Sequence, residues 1–170
     1  MKIVVIGGGA SGLLTALFAK NDNNNVTILE RFDKCAKKIL VTGNGRCNYF
    51  NELFDNDKFN SNNEQFIKEF NTEENKEKVL NFFDSIGVVP TIKNGYYYPL
   101  SKEASSIRNI LLNEVNKKNI NIIYNANVFS VKKENDKFKV YYNNEIIECD
   151  KLIMATGSNA YYKDETTGYS

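Results

Sequence analysis

The sequence has no histidine among its 170 residues, which removes the commonest general base and one of the commonest metal ligands of enzymes. Its three cysteines, Cys35, Cys47 and Cys149, are odd in number and widely spaced, so they fit neither a disulfide framework nor a zinc site. We therefore expect no bound metal and no catalysis that depends on histidine.

Long apolar runs are missing as well. No segment approaches the roughly 18 to 20 apolar residues that span a bilayer. A leader of the secretory type is not expected, because the first apolar residues, starting at Ile3, fit a strand. The formal net charge of +1 provides no general attraction to nucleic acids or anionic membranes. We expect a cytoplasmic protein with no membrane contact and, for this chain alone, no nucleic-acid partner.

The composition, with 42% hydrophobic and 25% charged residues, is typical of a globular protein. The most informative segment of the sequence lies at its beginning. An apolar strand, Lys2 to Ile6, leads directly into Gly7-Gly8-Gly9-Ala10-Ser11-Gly12 and then into a helix that ends near Lys20. A second strand, Val26 to Leu29, is followed by Glu30. The separation of Glu30 from Gly12 is close to the roughly 20 residues that separate the glycine motif from an acidic residue in dinucleotide-binding folds. Together these elements predict a nucleotide site.

Each glycine meets a different steric requirement of that site. Gly7 permits the tight turn after the strand, Gly9 allows the backbone to approach a pyrophosphate, and Gly12 allows the helix to pack closely on the strand. The N–H groups at the start of the helix then face the phosphates. Glutamate rather than arginine at residue 30 favours FAD or NAD over NADP. The alternative is an ordinary glycine-rich turn with Glu30 as a solvated strand end.

The rest of the chain predicts further helices and strands. The Asn94-Gly95 pair indicates a hairpin whose strands should be edge strands, because Pro90 and Pro99 cannot donate to a ladder. The predicted helices cover residues 63–70, 73–85 and 102–118. The predicted strands cover residues 120–124, 127–133, 137–142, 145–149 and 151–157, and the second to fourth of these form a meander. In and directly after the 73–85 helix, the predicted core residues are Val79, Leu80, Phe82, Phe83 and Ile86.

Basic residues cluster after the nucleotide motif, namely Arg31, Lys34, Lys37, Lys38 and Arg46. They could form a solvated face or contact phosphate, and the sequence favours neither. The loop Thr42-Gly43-Asn44-Gly45-Arg46-Cys47-Asn48 allows close backbone approach at its glycines, and its Arg46 can neutralise a phosphate or a reduced-flavin anion. The alternative is a capped turn with a surface arginine. Cys47 is expected to be a packed thiol rather than a redox thiol, because no second cysteine or histidine is near it in sequence.

Four motifs in this order carry a family resemblance: Gly7 to Gly12 with Ala16 and Glu30, Lys38 to Asn48, Tyr98 to Ala104, and Ala155 to Gly157. With them, the chain resembles the BaiN-type FAD-dependent oxidoreductases, a bacterial family of aminoacetone oxidase-like flavoproteins. The loop from Thr42 to Asn48 is the most specific of the four.

The resemblance implies an α/β fold. The expected domain is a Rossmann-like FAD-binding domain of the glutathione-reductase type, with a three-stranded β-meander inserted in a parallel sheet. FAD is the implied cofactor. The residues implied to bind it are Gly7, Gly9, Ala10, Ser11, Gly12, Glu30, Arg31, Lys38, Thr42, Gly43, Asn44, Gly45, Arg46, Cys47, Asn48, Val128, Ala155, Thr156 and Gly157.

The resemblance also implies a function, which is the FAD-binding part of a flavin-dependent oxidoreductase. Its substrate would be a small or RNA-borne unsaturated compound or an amine, with NAD(P)H as a candidate electron donor. Residues 1–170 are expected to form one incomplete FAD-binding domain without the family's substrate domain or its C-terminal FAD segment. Two alternatives remain: a truncated, non-catalytic dinucleotide-binding module, and a simple NAD-dependent dehydrogenase. No catalytic residue and no oligomeric state can be assigned from the sequence.

Overall fold

A computed structural model describes residues 1–53 and 55–157, and in it the chain divides into two units. The first unit contains Met1–Ile39 together with the described residues from Leu111 onward, and the second contains Leu40–Ile110. None of the helices in these described ranges is long and apolar enough to cross a membrane.

The first unit is built on a parallel sheet with the strand order β10-β1-β2-β6. Its strands are β1 (Lys2–Ile6), β2 (Asn25–Leu29), β6 (Asn121–Ile123) and β10 (Lys151–Met154), and helix α1 (Ala10–Ala19) connects β1 to β2. All residues of β1 except Lys2 are buried, as expected for a central strand that is covered on both faces. The parallel sheet predicted from the sequence is therefore confirmed.

An antiparallel meander is inserted between β6 and β10. Its strands are β7 (Val128–Glu134), β8 (Lys137–Tyr142) and β9 (Glu145–Cys149), in the order β7-β8-β9. Asn135, Asp136 and Asn143 have positive φ angles at the two turns, a conformation that Asn and Asp tolerate better than most residues. One buried cluster joins the meander to the parallel sheet, and it contains Val4, Ile6, Leu29, Ala126, Val140, Tyr142 and Cys149. The inserted meander predicted from the sequence is also confirmed.

Helix α4 (Ala104–Lys117) precedes β6 and links the two units along the chain. It begins two residues after the predicted start, because Lys102 has a φ angle of 57° and lies outside helical geometry. The spacing of Ile107, Ile110, Leu111 and Val115 predicts a buried side of the helix; Ile107, Leu111 and Val115 are buried, and Ile110 is half-buried.

The second unit contains a three-stranded antiparallel sheet in the order β3-β5-β4. Its strands are β3 (Phe50–Asn51), β4 (Pro90–Lys93) and β5 (Tyr96–Pro99), and Asn94 and Gly95 form the predicted hairpin turn with positive φ angles. The expectation that both proline-containing strands are edge strands was wrong for β5, which is central. Pro99 is tolerated there because it is the last residue of the strand, opposite Pro90.

Two helices complete the second unit, α2 (Glu64–Phe70) and α3 (Glu73–Ser85). The side chains of Asn63 and Thr72 cap them by accepting hydrogen bonds from the Phe66 and Asn75 N–H groups. Of the five core residues predicted around α3, only Phe83 is buried, and Val79 is 40% exposed. The helical spacing was right, but it overestimated the width of the buried face.

Candidate cofactor site

The glycine turn between β1 and α1 has the close packing that its sequence predicts. Gly7 has a φ angle of 104°, and a Cβ there would collide with the carbonyl group of Ala155. A Cβ on Gly12 would collide with the carbonyl oxygen of Gly7. A Cβ on Gly9 would meet nothing within 4 Å. Gly7 and Gly12 are thus required by the fold itself, whereas Gly9 leaves open space beside the turn.

Gly8, which has no role in the predicted motif, is held from both sides. Its N–H donates to Oε2 of Glu30 at 2.6 Å, and its carbonyl oxygen accepts from the N–H of Ala36 at 2.8 Å. A Cβ on Gly8 would collide with Sγ of Cys35 and lie 2.9 Å from Oε2 of Glu30. The position of Gly8 in the middle of three consecutive glycines was the only signal in the sequence for this packing.

Glu30 lies directly behind the turn and is 7% exposed. Its second carboxylate oxygen, Oε1, accepts from the N–H of Phe32 at 2.9 Å. Its backbone is fixed as well, because its N–H donates to Ile123 and its carbonyl oxygen accepts from Ala126. Both carboxylate oxygens therefore accept backbone hydrogen bonds within the first unit, and the predicted contact with a ribose remains a prediction.

A cavity of about 780 Å³ opens at the carboxyl ends of β1, β2 and β10, beside the start of β7. Its volume lies within the range of roughly 300 to 1,000 Å³ that is usual for ligand sites. Parallel sheets commonly bind ligands at this edge. The predicted cofactor residues that line the cavity are Gly7, Gly9, Ala10, Ser11, Glu30, Arg31, Lys38, Val128, Ala155, Thr156 and Gly157.

The start of helix α1 faces this cavity through Gly9, Ala10 and Ser11. No side chain caps the helix at Gly9, and its first turn contains no acidic residue. The first N–H groups of an α-helix lack partners within the helix and attract negative charge. The turn and helix α1 can therefore bind a phosphate group through the backbone.

Four of the five clustered basic residues, Arg31, Lys34, Lys37 and Lys38, line the cavity. Arg31 and Lys37 both contact the ring of Phe32, at 4.6 and 4.3 Å from its centroid. The Lys38 amine lies 4.0 Å from the position of a Cβ on Gly157. These cations give the cavity a positive rim, which favours the phosphate-contact interpretation for these four residues.

Large apolar side chains, which no sequence pattern predicted, line another part of the cavity. Phe129 is 66% exposed and Met154 is 62% exposed, although both belong to strands. Exposed apolar side chains that converge on a cavity are typical of ligand sites. The cavity thus combines backbone donors, cations and an apolar surface, which suits a ligand with both phosphates and flat rings.

The predicted loop from Thr42 to Asn48 belongs to the second unit, where most of its residues are exposed. Gly43, Asn44, Gly45 and Cys47 all have φ angles between 55° and 81°, in the left-handed region. The N–H of Cys47 donates to the carbonyl oxygen of Thr42 at 3.1 Å and closes the loop. The left-handed conformation costs backbone energy at residues other than glycine, here Asn44 and Cys47. Gly43 and Gly45 adopt it without that cost, so the shape of the loop depends on these two glycines.

The thiol of Cys47 is buried. Burial raises its pKa above the usual value, and a hydrogen bond with the side chain of Thr42 offsets only part of that effect. Burial also raises the pKa of Cys149. A raised pKa leaves less thiolate, the reactive form, so the structure favours the packed thiol over the redox thiol.

Three comparisons place the chain among known proteins. The family model of the HI0933-like protein Rossmann domain matches residues 1–169. The chain is 32% identical to a 3-dehydro-bile acid delta(4,6)-reductase from Clostridium scindens, over 94% of the chain and 39% of that protein. It is 27% identical to the ribosomal RNA dihydrouridine synthase of Escherichia coli, over 91% of the chain and 38% of that protein. The chain therefore spans about two fifths of the length of these relatives.

Solved structures with low sequence identity share the fold. A 3-ketosteroid-delta4-(5alpha)-dehydrogenase from Rhodococcus jostii matches with a TM-score of 0.68 at 14% identity, over 94% of this chain and 46% of that one. THI4 from Thermovibrio ammonificans matches with a TM-score of 0.61 at 14% identity, over 98% of this chain and 59% of that one. At these identities the likeness concerns the fold alone.

Proposed function

Because the chain belongs to the HI0933-like Rossmann domain family, whose cofactor is FAD, we propose that it is the FAD-binding part of a flavin-dependent oxidoreductase. The family match agrees with the resemblance found in the sequence motifs. The observation that carries the proposal is the open face of the glycine turn at Gly9, which lies beside a cavity large enough for part of a dinucleotide.

The residues of the first unit fit FAD. The pyrophosphate would bind the backbone from Gly9 to Ser11, and Lys38 would supply positive charge near Gly157. The adenosine would occupy the part of the cavity near Glu30, Phe32 and Val128, where polar and apolar groups are close together. The predicted role of the loop from Thr42 to Asn48 at the flavin side of the cofactor stays part of this proposal.

The flavin, when bound, supplies the hydride and electron transfer, and the protein supplies binding and orientation. The absence of histidine is therefore no obstacle to the proposed activity. Two relatives bear names that denote a bile acid reductase and a dihydrouridine synthase, and both names imply the reduction of a carbon–carbon double bond. An unsaturated substrate, small or RNA-borne, is accordingly favoured over an amine, with NAD(P)H as the candidate electron donor.

A second candidate is a non-catalytic dinucleotide-binding module. It rests on the same glycine turn and cavity, which can bind a phosphate group whether or not any chemistry follows. Such a module would bind the ADP part of a cofactor and would not turn over a substrate.

Purification of the chain and an absorption spectrum test these candidates. The proposal expects a yellow protein that releases FAD on denaturation and loses its flavin colour when dithionite is added. Added FAD should bind more tightly than FMN, because FMN lacks the AMP half of FAD, which would contact the first unit. A colourless protein that binds ADP and no flavin would support the module. Tight binding of NAD without flavin would contradict the FAD proposal and favour a simple dehydrogenase.

A further inference from the structure

We infer that Glu30 is a positioning residue whose carboxylate shapes the phosphate-binding turn, and that this role is separate from any contact with a ribose. The inference rests on the proposed function, because it treats the turn from Gly7 to Gly12 as the diphosphate site.

The carboxylate bridges two segments of the backbone. Oε2 accepts from the N–H of Gly8 at 2.6 Å, and Oε1 accepts from the N–H of Phe32 at 2.9 Å. A side chain with two acceptor oxygens is needed to accept both of these hydrogen bonds, and only a carboxylate combines two such oxygens in one planar group. Glu30 is 7% exposed, so solvent has little access to compete for these hydrogen bonds.

The opposite side of Gly8 is held by the segment that follows Phe32. The N–H of Ala36 donates to the carbonyl oxygen of Gly8 at 2.8 Å, and Sγ of Cys35 occupies the space that a Cβ on Gly8 would need. The Gly8 residue is thus fixed at its nitrogen by Glu30 and at its oxygen by Ala36. Loss of either contact would free the turn to change its backbone conformation.

This arrangement determines which N–H groups of the turn face a ligand. The Gly8 N–H is taken up by the carboxylate of Glu30, whereas Gly9, Ala10 and Ser11 line the cavity. If Gly8 lost its acceptor, its N–H would be buried without a partner, and the turn would rearrange to satisfy it. The diphosphate would then meet a less ordered set of donors and bind more weakly.

Replacement of the acid by its amide, Glu30→Gln, tests the inference with three ligands. Adenosine has the ribose hydroxyls and no phosphate, 2′,3′-dideoxy-ADP has the diphosphate and no such hydroxyls, and ADP has both. The amide oxygen of glutamine can accept from Gly8 or from Phe32, but its NH₂ group cannot accept from the other. Titrations of the wild-type and variant chains with each ligand give the affinities.

If Glu30 positions the turn, Glu30→Gln should weaken the binding of ADP and of 2′,3′-dideoxy-ADP by a similar factor. That factor should be about tenfold, as for the loss of one charged hydrogen bond. The affinity for adenosine should change less than about twofold. A loss confined to ADP and adenosine would overturn the inference, because it would assign Glu30 to the ribose alone. Equal losses for all three ligands, or no loss for any of them, would overturn it as well.

A matched control is Glu148→Gln, which removes a carboxylate that pairs with Lys137 on the meander and does not line the cavity. This variant should leave all three affinities unchanged. If Glu30→Gln does not fold, amide hydrogen exchange of the wild-type chain decides, since the Gly8 N–H should be strongly protected without any ligand. Rapid exchange of that N–H would overturn the inference.

The proposed function and this inference can fail separately. If the wild-type chain binds neither ADP nor 2′,3′-dideoxy-ADP, the proposed function fails. The protection of the Gly8 N–H in the free protein would still report whether Glu30 holds the turn.

Discussion

The carbonyl oxygen of Gly7 occupies the space that a Cβ on Gly12 would need. The two residues lie at opposite ends of the glycine turn, and their contact brings helix α1 close to the end of β1. Any side chain at residue 12 must therefore displace the backbone of the turn rather than a flexible group.

Gly12→Ala should destabilise the fold because the collision involves backbone. Overpacking typically destabilises a protein by about 1 to 3 kcal/mol and occasionally by more. The free energy of unfolding should therefore fall by at least about 1 kcal/mol. Urea unfolding followed by circular dichroism measures it. A stability equal to that of the wild type would show that the turn can shift without cost.

Replacements of Gly9 should separate ligand binding from stability. Gly9 has a φ angle of −75°, which suits any L-residue, and a Cβ there meets nothing within 4 Å. Gly9→Ala, Gly9→Val and Gly9→Leu should therefore unfold at nearly the wild-type urea concentration while retaining progressively less FAD. Full flavin content in Gly9→Leu would contradict the placement of the pyrophosphate at this turn.

Lys38→Ala should weaken FAD binding by about 1.5 to 3 kcal/mol, the usual range for a hydrogen bond to a charged group. The amine lies near Gly157 at the edge of the cavity, where it can approach the pyrophosphate. The loss should become smaller as salt is added, because ions screen the attraction. Lys78→Ala, which removes an exposed partner of Glu74 on α3, is the control and should not change FAD affinity.

Phe129→Ala should lower the affinity for adenosine ligands with little effect on stability, because this side chain is exposed and lines the cavity. Contacts between flat rings contribute about 0.5 to 1.5 kcal/mol beyond the area they bury. Ile146→Ala, on the exposed surface of β9, is a matched control. A similar loss in both variants would point to a general weakening of the meander.

Stability should decrease in alkaline solution because burial raises the pKa of Cys47 and Cys149 above the usual value of 9.0. The unfolded chain loses these thiol protons at a lower pH than the folded chain does. The contribution of the two buried thiols to the free energy of unfolding is therefore complete below the unfolded pKa, and it is lost as the pH rises through the folded pKa. Each unit of pKa difference corresponds to about 1.4 kcal/mol. Urea unfolding at about pH 8 and about pH 10 measures the effect. The double variant Cys47→Ala/Cys149→Ala should show a smaller decrease between the two pH values.

The sequence predicted the parallel sheet and the meander because their signals are local. The apolar residues of β1 and β2, the glycines between them and the Asn-rich turns of the meander each follow from short-range geometry. Their boundaries agree with the structure to within about three residues, which is usual for such patterns.

What the sequence could not predict depends on contacts between distant residues. The two hydrogen bonds of the Glu30 carboxylate require the positions of Gly8 and Phe32 in space, which no spacing rule provides. Helical periodicity predicts on which side of α3 Val79 lies. It does not predict whether another element covers that side, and Val79 is in fact exposed. The division into two units falls at Ile39 and Leu111, positions without a change in composition that would mark them.

The pairing of β1 with β10 has a consequence for the synthesis of the protein. Ile3 pairs with Lys151, so β1 needs a partner strand that the ribosome delivers much later. At roughly 5 to 20 residues per second, that wait is on the order of ten seconds. Throughout it, one side of an almost wholly apolar strand lacks its partner and is open to association with other chains. Slower translation or a lower supply of chaperones should therefore reduce the yield of soluble protein. The free energy of unfolding of the protein that does fold should stay unchanged.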